Sequence, residues 1–252
     1  MARRTAVAGG VLLSGMLAAG PAPAAERTLT EFWPELDVFV KRDETTRLFL
    51  LAALTRAAET GTSTEGTLGV HLDWFPAGLP RPLLEVAPGL AERWSLWTRV
   101  GYQHLSAWNA AGRSENRLVA EATLRSEPLW LGLQFANRVR VDLRAVGDDT
   151  SWRFRNRTRI ERTWPLRGDD GLVSGMLGGL PPGTLAAVTP YAMVEFFRDG
   201  PSGVWSRRFE QFGSEFELAG NRAIDLYLGR QDDLRGTGAR LWIGGVALTL
   251  RY

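Results

Sequence analysis

The segment WRFRNRTRIER, residues 152–162, carries an arginine at every second position from Arg153 to Arg159. A period of two is the side-chain period of a β-strand, so these arginines leave one face of the strand while Phe154 and Ile160 leave the other. A soluble β-sandwich turns its polar face to water. In a closed barrel that spans a membrane, the polar face lines the lumen and the apolar face meets lipid. The segment therefore favours a membrane barrel in which the arginines point inward.

The same alternation recurs in the neighbouring segments of the chain. One face of 129–144 carries Leu129, Leu131, Leu133, Phe135, Val139, Val141 and Leu143, and the other carries Gln134, Arg138, Arg140, Asp142 and Arg144. A soluble lipocalin-like barrel would need polar residues where the first set stands. The pattern predicts an all-β fold, a single antiparallel transmembrane β-barrel with an Arg/Glu-lined lumen.

Alternation and turn residues together predict about twelve strands. They lie near 32–41, 46–58, 67–75, 81–87, 94–105, 115–126, 128–144, 152–164, 186–198, 207–218, 222–231 and 239–252. An even number brings both ends of the barrel domain to one side of the membrane. Tight turns are expected there at 126–128 and 219–221, with the longer loops at the opposite end. If 81–87 is not a strand, ten strands are the alternative.

The first 24 residues resemble a secretory signal peptide. A basic start, MARR, precedes an apolar run over 5–20 and the small-residue site Ala22-x-Ala24. We expect cleavage before Ala25, a single barrel domain over 25–252, and a location in the bacterial outer membrane.

Composition limits the partners and cofactors. The formal charge is +2, and residues 1–24 hold Arg3, Arg4 and no acid, so the remainder is neutral. A neutral domain gives no support for nucleic-acid binding. Cysteine is absent, so an exported chain of this kind holds together without disulfides. No cofactor motif is present, and none is predicted.

The final segment GGVALTLRY resembles the C-terminal recognition signal of bacterial outer-membrane barrels. Its residues are Val246, Leu248, Leu250 and the terminal aromatic Tyr252. The resemblance implies two partners, outer-membrane lipid and the barrel-assembly machinery. The oligomeric state stays open.

Several segments from Trp33 onward resemble an uncharacterised group of Gram-negative outer-membrane barrels, the domain-of-unknown-function family 2490. They are WPELDVFVK, TRLFLLAALTR, EGTLGVHLD, NRVRVDLR, WRFRNRTRIERT and TPYAMVEFF, together with the terminal strand. The resemblance implies an outer-membrane barrel and supplies no activity.

Charged residues at inward positions predict ladders of ion pairs, because a guanidinium binds a carboxylate bidentately. The predicted lumen lining consists of Arg138, Arg140, Arg144, Arg153, Arg155, Arg157, Arg159, Glu115, Glu121, Asp142, Glu161 and Glu195. Two interpretations are open. The pairs fill and rigidify the lumen, or they line a narrow pore that favours anions.

A possible nucleophile arrangement lies in YQHLSAW and SENR. His104 and Ser106 share one face, and a loop centred near 110 makes Asn116 the hairpin partner of His104. A histidine that takes a proton from serine and is held by asparagine is a nucleophile arrangement. Outer-membrane phospholipases and lipid A deacylases resemble this, although Ala107 replaces the small polar residue expected after the serine. The alternative is an interfacial collar of aromatic and histidine side chains.

His71 and Asp73 are also predicted to point inward, as a hydrogen-bonded pair. Two ligands without a third histidine or a cysteine do not form a metal site, so no metal is predicted. As a whole, the sequence favours a passive role, either a narrow channel for small polar solutes or a plugged structural barrel, and it leans away from an enzyme. A lipid hydrolase using His104, Ser106 and Asn116 is one alternative, and a scaffold in an envelope assembly is another.

Overall fold

The computed structural model describes residues 28–58, 60–76, 94–108, 113–166, 184–200, 203–235 and 240–252. These residues form an all-β fold. Its strands are β1 (Thr28–Lys41), β2 (Thr46–Ala57), β3 (Ser63–Trp74), β4 (Trp94–Ala107), β5 (Glu115–Ser126), β6 (Gln134–Val146), β7 (Asp149–Glu161), β8 (Trp164–Pro165), β9 (Leu185–Asp199), β10 (Val204–Leu218), β11 (Arg222–Asp233) and β12 (Arg240–Arg251). In these ranges no helix has the length and apolar character needed to cross a membrane.

The strands close into one barrel. Neighbours in sequence pair antiparallel from β1 to β7 and from β9 to β12, and β7 pairs with β9. The two-residue β8 lies beside β9 beyond the end of β7. The seam between β1 and β12 is parallel, with Thr28 beside Arg240 and Phe39 beside Arg251. Eleven of the twelve strands therefore form the closed ring.

The predicted all-β barrel is confirmed, but its closure differs from the expectation. The expected strand near 81–87 lies outside the described residues, and β3 pairs directly with β4 across that gap. When a barrel closes from an odd number of consecutively antiparallel strands, its first and last strands run parallel to each other. Thr28 and Tyr252 consequently lie at opposite ends of the barrel, and the expectation that both ends of the domain share one side is wrong. The tight turns 126–128 and 219–221 do share the end of Tyr252, as predicted.

The sixth strand begins later than predicted. Alternating leucines over 129–133 suggested a strand from residue 128, whereas Trp130–Gly132 forms a 3-10 turn and β6 starts at Gln134. Leu131 has a φ of 60° and Gly132 a φ of 71°. A left-handed backbone of this kind cannot continue a strand, so the apolar alternation there belongs to a turn.

One sector of the interior is apolar. A buried cluster of Tyr191, Met193, Phe197, Phe209 and Ile243 draws on β9, β10 and β12, and Trp33, Tyr227 and Leu241 pack against it. Trp33 and Phe209, three strands apart, have ring centroids 6.0 Å from each other. A Cβ on Gly245 would lie 1.9 Å from the Tyr227 ring, so glycine is required for that ring to lie across the sheet. Side chains from strands that are not neighbours in the ring thus pack against each other inside the barrel.

The outer wall is apolar over most of its surface. Leu68, Phe212 and Leu228 keep 65%, 66% and 69% of their side-chain area exposed. The β1–β2 turn is polar, and the pKa of Asp43 lies below its ordinary value because the backbone N–H and the hydroxyl of Thr45 donate to its carboxylate. The wall and its turns therefore differ sharply in polarity.

Candidate functional site

The interior sector next to the apolar cluster carries the arginines, and the Arg155 guanidinium lies 4.7 Å from the centre of the Phe197 ring. Glu195 on β9 is their centre, since it accepts hydrogen bonds from Arg138 at 3.0 Å, Arg155 at 2.8 Å and Arg157 at 3.0 Å. Arg138 comes from β6 and the other two arginines from β7, so the carboxylate of Glu195 joins three consecutive strands of the ring, β6, β7 and β9. Removing it would take a counter-charge from three guanidinium groups, two of which keep a second carboxylate, Glu121 for Arg138 and Asp142 for Arg155.

The remaining predicted lumen residues extend this arrangement, which we call the lumenal ion-pair network. Its other pairs are Arg138 with Glu121 at 3.4 Å, Arg140 with Asp142 at 2.5 Å, Arg144 with Glu115 at 2.7 Å, Arg153 with Asp199 at 2.6 Å, and Arg159 with Glu161 at 2.6 Å. All twelve residues predicted to line the lumen occupy inward positions of their strands and take part in these pairs.

Three carboxylates inside the barrel are almost completely buried. The exposed fractions of Asp73, Asp142 and Glu195 are 0%, 1% and 1%. Their arginine partners cover these carboxylates, while the side chains of Arg157 and Arg159 keep 26% and 24% of their area exposed.

Several inward residues were missed or misassigned by sequence reasoning. His71 and Asp73 are both buried, but Asp73 accepts from Arg47 at 2.8 Å and Arg99 at 2.6 Å, while His71 contacts Gln103 at 3.4 Å. The expected bond between His71 and Asp73 is therefore absent from the described contacts. Guanidinium groups outcompete imidazole for a carboxylate because they carry a permanent charge. A second acidic group, Glu35, Asp37 and Asp225, also faces the lumen, and the alternation of β1 could have identified its first two members.

On the outer wall, the structure brings together His104 and Asn116, two members of the possible nucleophile arrangement, while Ser106 has no hydrogen bond to either of them among the described contacts. His104 on β4 pairs directly with Asn116 on β5, which is the cross-strand register that the sequence predicts. His104 Nδ1 lies 2.8 Å from Asn116 Oδ1, and the Tyr102 hydroxyl donates to the same oxygen at 2.6 Å. We call His104, Ser106 and Asn116 the outer-wall triad.

The shared amide oxygen assigns the histidine tautomer. Asn116 Oδ1 can only accept, so in this orientation of the amide the proton of the bond to His104 comes from Nδ1. A neutral imidazole protonated at Nδ1 has a free lone pair at Nε2. His104 is thus arranged to accept a proton at Nε2, and Asn116 fixes the plane of its ring.

Ser106 follows His104 on the same face of β4. Successive side chains on one face are about 6.6 Å apart along a strand, a distance that a histidine side chain can bridge. Ser106 pairs with Gly66 of β3, and a Cβ on Gly66 would lie 2.6 Å from the Trp108 ring. Glycine at 66 lets Trp108 lie flat over the wall beside Ser106, which shields one side of the serine.

No metal site accompanies these groups in the part of the chain that the structure describes, where no cluster of three or more potential ligands is arranged to hold an ion. On β12, Val246, Leu248 and Leu250 share the outward face, and Tyr252 follows the strand with 72% of its area exposed. This is the alternation of the C-terminal recognition signal. Its role in barrel assembly stays a prediction.

Residues 79–178 match the model of a family described as a protein of unknown function, DUF2490. The match supports membership of that uncharacterised family, and its span includes the outer-wall triad and β7. No curated protein and no solved structure matches the chain.

Proposed function

We propose that this protein is an outer-membrane β-barrel that hydrolyses acyl esters of membrane lipids with a serine nucleophile on its outer wall. The observation that carries the proposal is the 2.8 Å contact between His104 Nδ1 and Asn116 Oδ1. That contact orients a histidine beside Ser106, on the face of the barrel that would meet lipid. A base held in this way activates a serine hydroxyl, which is a weak nucleophile by itself.

Membrane embedding is supported by the apolar outer wall. Large hydrophobic side chains with more than a third of their area exposed occur on nearly every stave of the ring. Continuous apolar surface of this extent is unfavourable in water and is typical of a barrel surrounded by lipid. The signal-peptide features of residues 1–24 and the terminal aromatic strand support export and the outer membrane.

The hydrogen bond between His104 and Asn116 sets the proton transfers of the proposed ester hydrolysis. Ser106 Oγ attacks the ester carbonyl carbon while His104 Nε2 takes the hydroxyl proton, and Asn116 holds the imidazolium in place. The bond from that carbon to the alcohol oxygen of the lipid then breaks, and His104 returns the proton to this oxygen. A water molecule next gives a proton to His104 and adds to the acyl carbon, and the bond from that carbon to Ser106 Oγ breaks while His104 returns the proton to Oγ, which releases the fatty acid and restores both residues. The net change is one ester hydrolysed to a fatty acid and a lysolipid.

The buried network favours a second candidate, a structural barrel without enzymatic activity. The most buried lumenal carboxylates, Asp73, Asp142 and Glu195, are covered by their arginine partners, so we infer that the barrel does not conduct ions and that a pore is the weakest of the alternatives considered above. A hydrolase and a structural barrel both need this packed interior. They differ only in whether the outer-wall triad reacts.

The test uses the refolded protein in phosphatidylethanolamine–phosphatidylglycerol vesicles. We expect release of fatty acid and lysolipid in equal amounts, loss of this release in Ser106→Ala, and normal release in Ser214→Ala, which alters an outward serine on β10. In planar bilayers the same preparation should be electrically silent. Folded protein that releases no fatty acid would contradict the hydrolase and leave the structural barrel.

A further inference from the structure

An apolar groove lies on the outer wall next to the outer-wall triad. Its volume is about 510 Å³, within the range of about 300–1,000 Å³ that is usual for ligand pockets. Four neighbouring strands, β2 to β5, supply the outward side chains of its walls, which are Leu48, Val70, Leu72, Val100, Tyr102 and Leu118.

The groove and the triad share one residue. The Tyr102 ring lines the groove, and its hydroxyl donates to Asn116 Oδ1 at 2.6 Å. Val100, Tyr102, His104 and Ser106 are successive outward positions of β4. The groove therefore starts where the triad ends and continues along the strand toward Trp94, away from the loop that follows β4.

The chemistry of the groove selects its occupant. No Asp, Glu, Lys or Arg lines it, His71 at its floor is buried with 2% of its area exposed, and the hydroxyl of Tyr102 is already bonded, so a lipid headgroup would find few partners there. Val100 and Leu118, which line it, expose 57% and 59% of their area on the outer wall. A hydrocarbon chain fills such a space because it buries apolar surface without leaving polar groups unpaired.

We propose that the groove binds the fatty acyl chain whose ester Ser106 attacks, which deepens and rests on the hydrolase function proposed above. The chain lies along β4 with its carbonyl end at Ser106 and its methyl end near Leu72 and Val100. The headgroup then points toward the β4–β5 loop. The substrate is accordingly a long-chain ester of a membrane lipid in the leaflet at that end of the barrel, and the groove sets the preferred chain length.

The test compares two esters of one alcohol, p-nitrophenyl palmitate and p-nitrophenyl butyrate, in the same detergent micelles. Val100→Trp fills the groove, so the ratio of palmitate to butyrate hydrolysis should fall by about tenfold or more, as expected for steric loss of a hydrophobic pocket. Leu118→Trp fills it from β5 and should act in the same direction. Leu226→Trp, at an outward position of β11 on the opposite wall, is the control and should leave the ratio unchanged. Folding of each variant is checked by its heat-dependent mobility in gels.

The outcomes separate the two proposals. Hydrolysis of neither ester by the unmodified protein, or hydrolysis that survives Ser106→Ala, overturns the hydrolase itself. Hydrolysis that depends on Ser106 but keeps the same ratio in Val100→Trp and Leu118→Trp overturns only the acyl groove. If those variants instead change the mass of the protein–detergent particle without changing the ratio, the groove is an interface between two copies, and the proposal fails.

Discussion

The inner and outer faces of the barrel wall use polar side chains in opposite ways. Inside, Glu195 and its partners form a dense, buried network in which carboxylates are shared among arginines. Outside, the wall is mostly apolar, and its polar groups occur in small sets, such as Tyr102 and His104 bonded to Asn116 and the pair Asn137 and Asn156. Buried charges must be paired for the barrel to fold, whereas polar groups on a lipid-facing wall reduce its stability and persist where they act. Stability and chemistry should therefore be separable by mutation.

The largest effect is expected at Ser106. Ser106→Ala should lower lipid hydrolysis by about a thousandfold or more, because loss of a nucleophile removes the covalent route. The free energy of unfolding should change by less than about 0.5 kcal/mol, since the side chain lies on the surface. Fatty-acid release and urea unfolding in the same detergent measure both quantities. A large loss of stability would show that Ser106 stabilises the fold, as the inner network does.

The inner network predicts the reverse pattern. Glu195→Gln should lower the free energy of unfolding by about 3–5 kcal/mol, because three guanidinium groups lose a buried counter-charge. Hydrolysis by the folded fraction should be unchanged. Glu210→Gln is the matched control, since Glu210 is 35% exposed and pairs with Arg208 at the surface, where such a pair contributes about 1 kcal/mol or less. Equal losses for the two variants would contradict a special role for the network.

Asn116 tests whether the triad acts as a unit. Asn116→Ala removes the acceptor that orients His104 and should lower kcat by about a hundredfold, with KM little changed. Asn116→Asp keeps an acceptor at the same position and should restore most of the rate. Equal rates for the alanine and aspartate variants would reduce the His104–Asn116 contact to an interfacial hydrogen bond.

The smallest effect is expected at Tyr102. Tyr102→Phe removes one hydrogen bond to Asn116 and keeps the ring in the groove, so the rate should fall by about three- to tenfold. The ratio of palmitate to butyrate hydrolysis should stay the same. A change in that ratio would mean that the hydroxyl, and not the ring, contacts the acyl chain.

Period-two alternation was enough to assign the two faces. It identified the inward arginines of β6 and β7 and, with the loop centre, the pairing of His104 with Asn116. It could not reveal that Glu195 serves three arginines, because partner choice depends on strand tilt and stagger around the ring. It also failed where apolar residues alternate without a strand, at Leu129–Leu133. The role of the groove needed four strands side by side, which no single segment of sequence displays.

Because the seam between β1 and β12 is parallel, Thr28 and Tyr252 lie at opposite ends of the barrel. In a chain that crosses a bilayer as proposed, a tag before Thr28 and a tag after Tyr252 face different compartments, and an impermeant reagent reaches only one of them in an intact cell. Assembly has a matching requirement. A barrel with an even number of strands can be completed by adding hairpins, which contain two strands each. Here the ring has eleven strands, so one strand remains outside such a pair. The parallel seam is thus the pairing that such an addition of strand pairs does not produce.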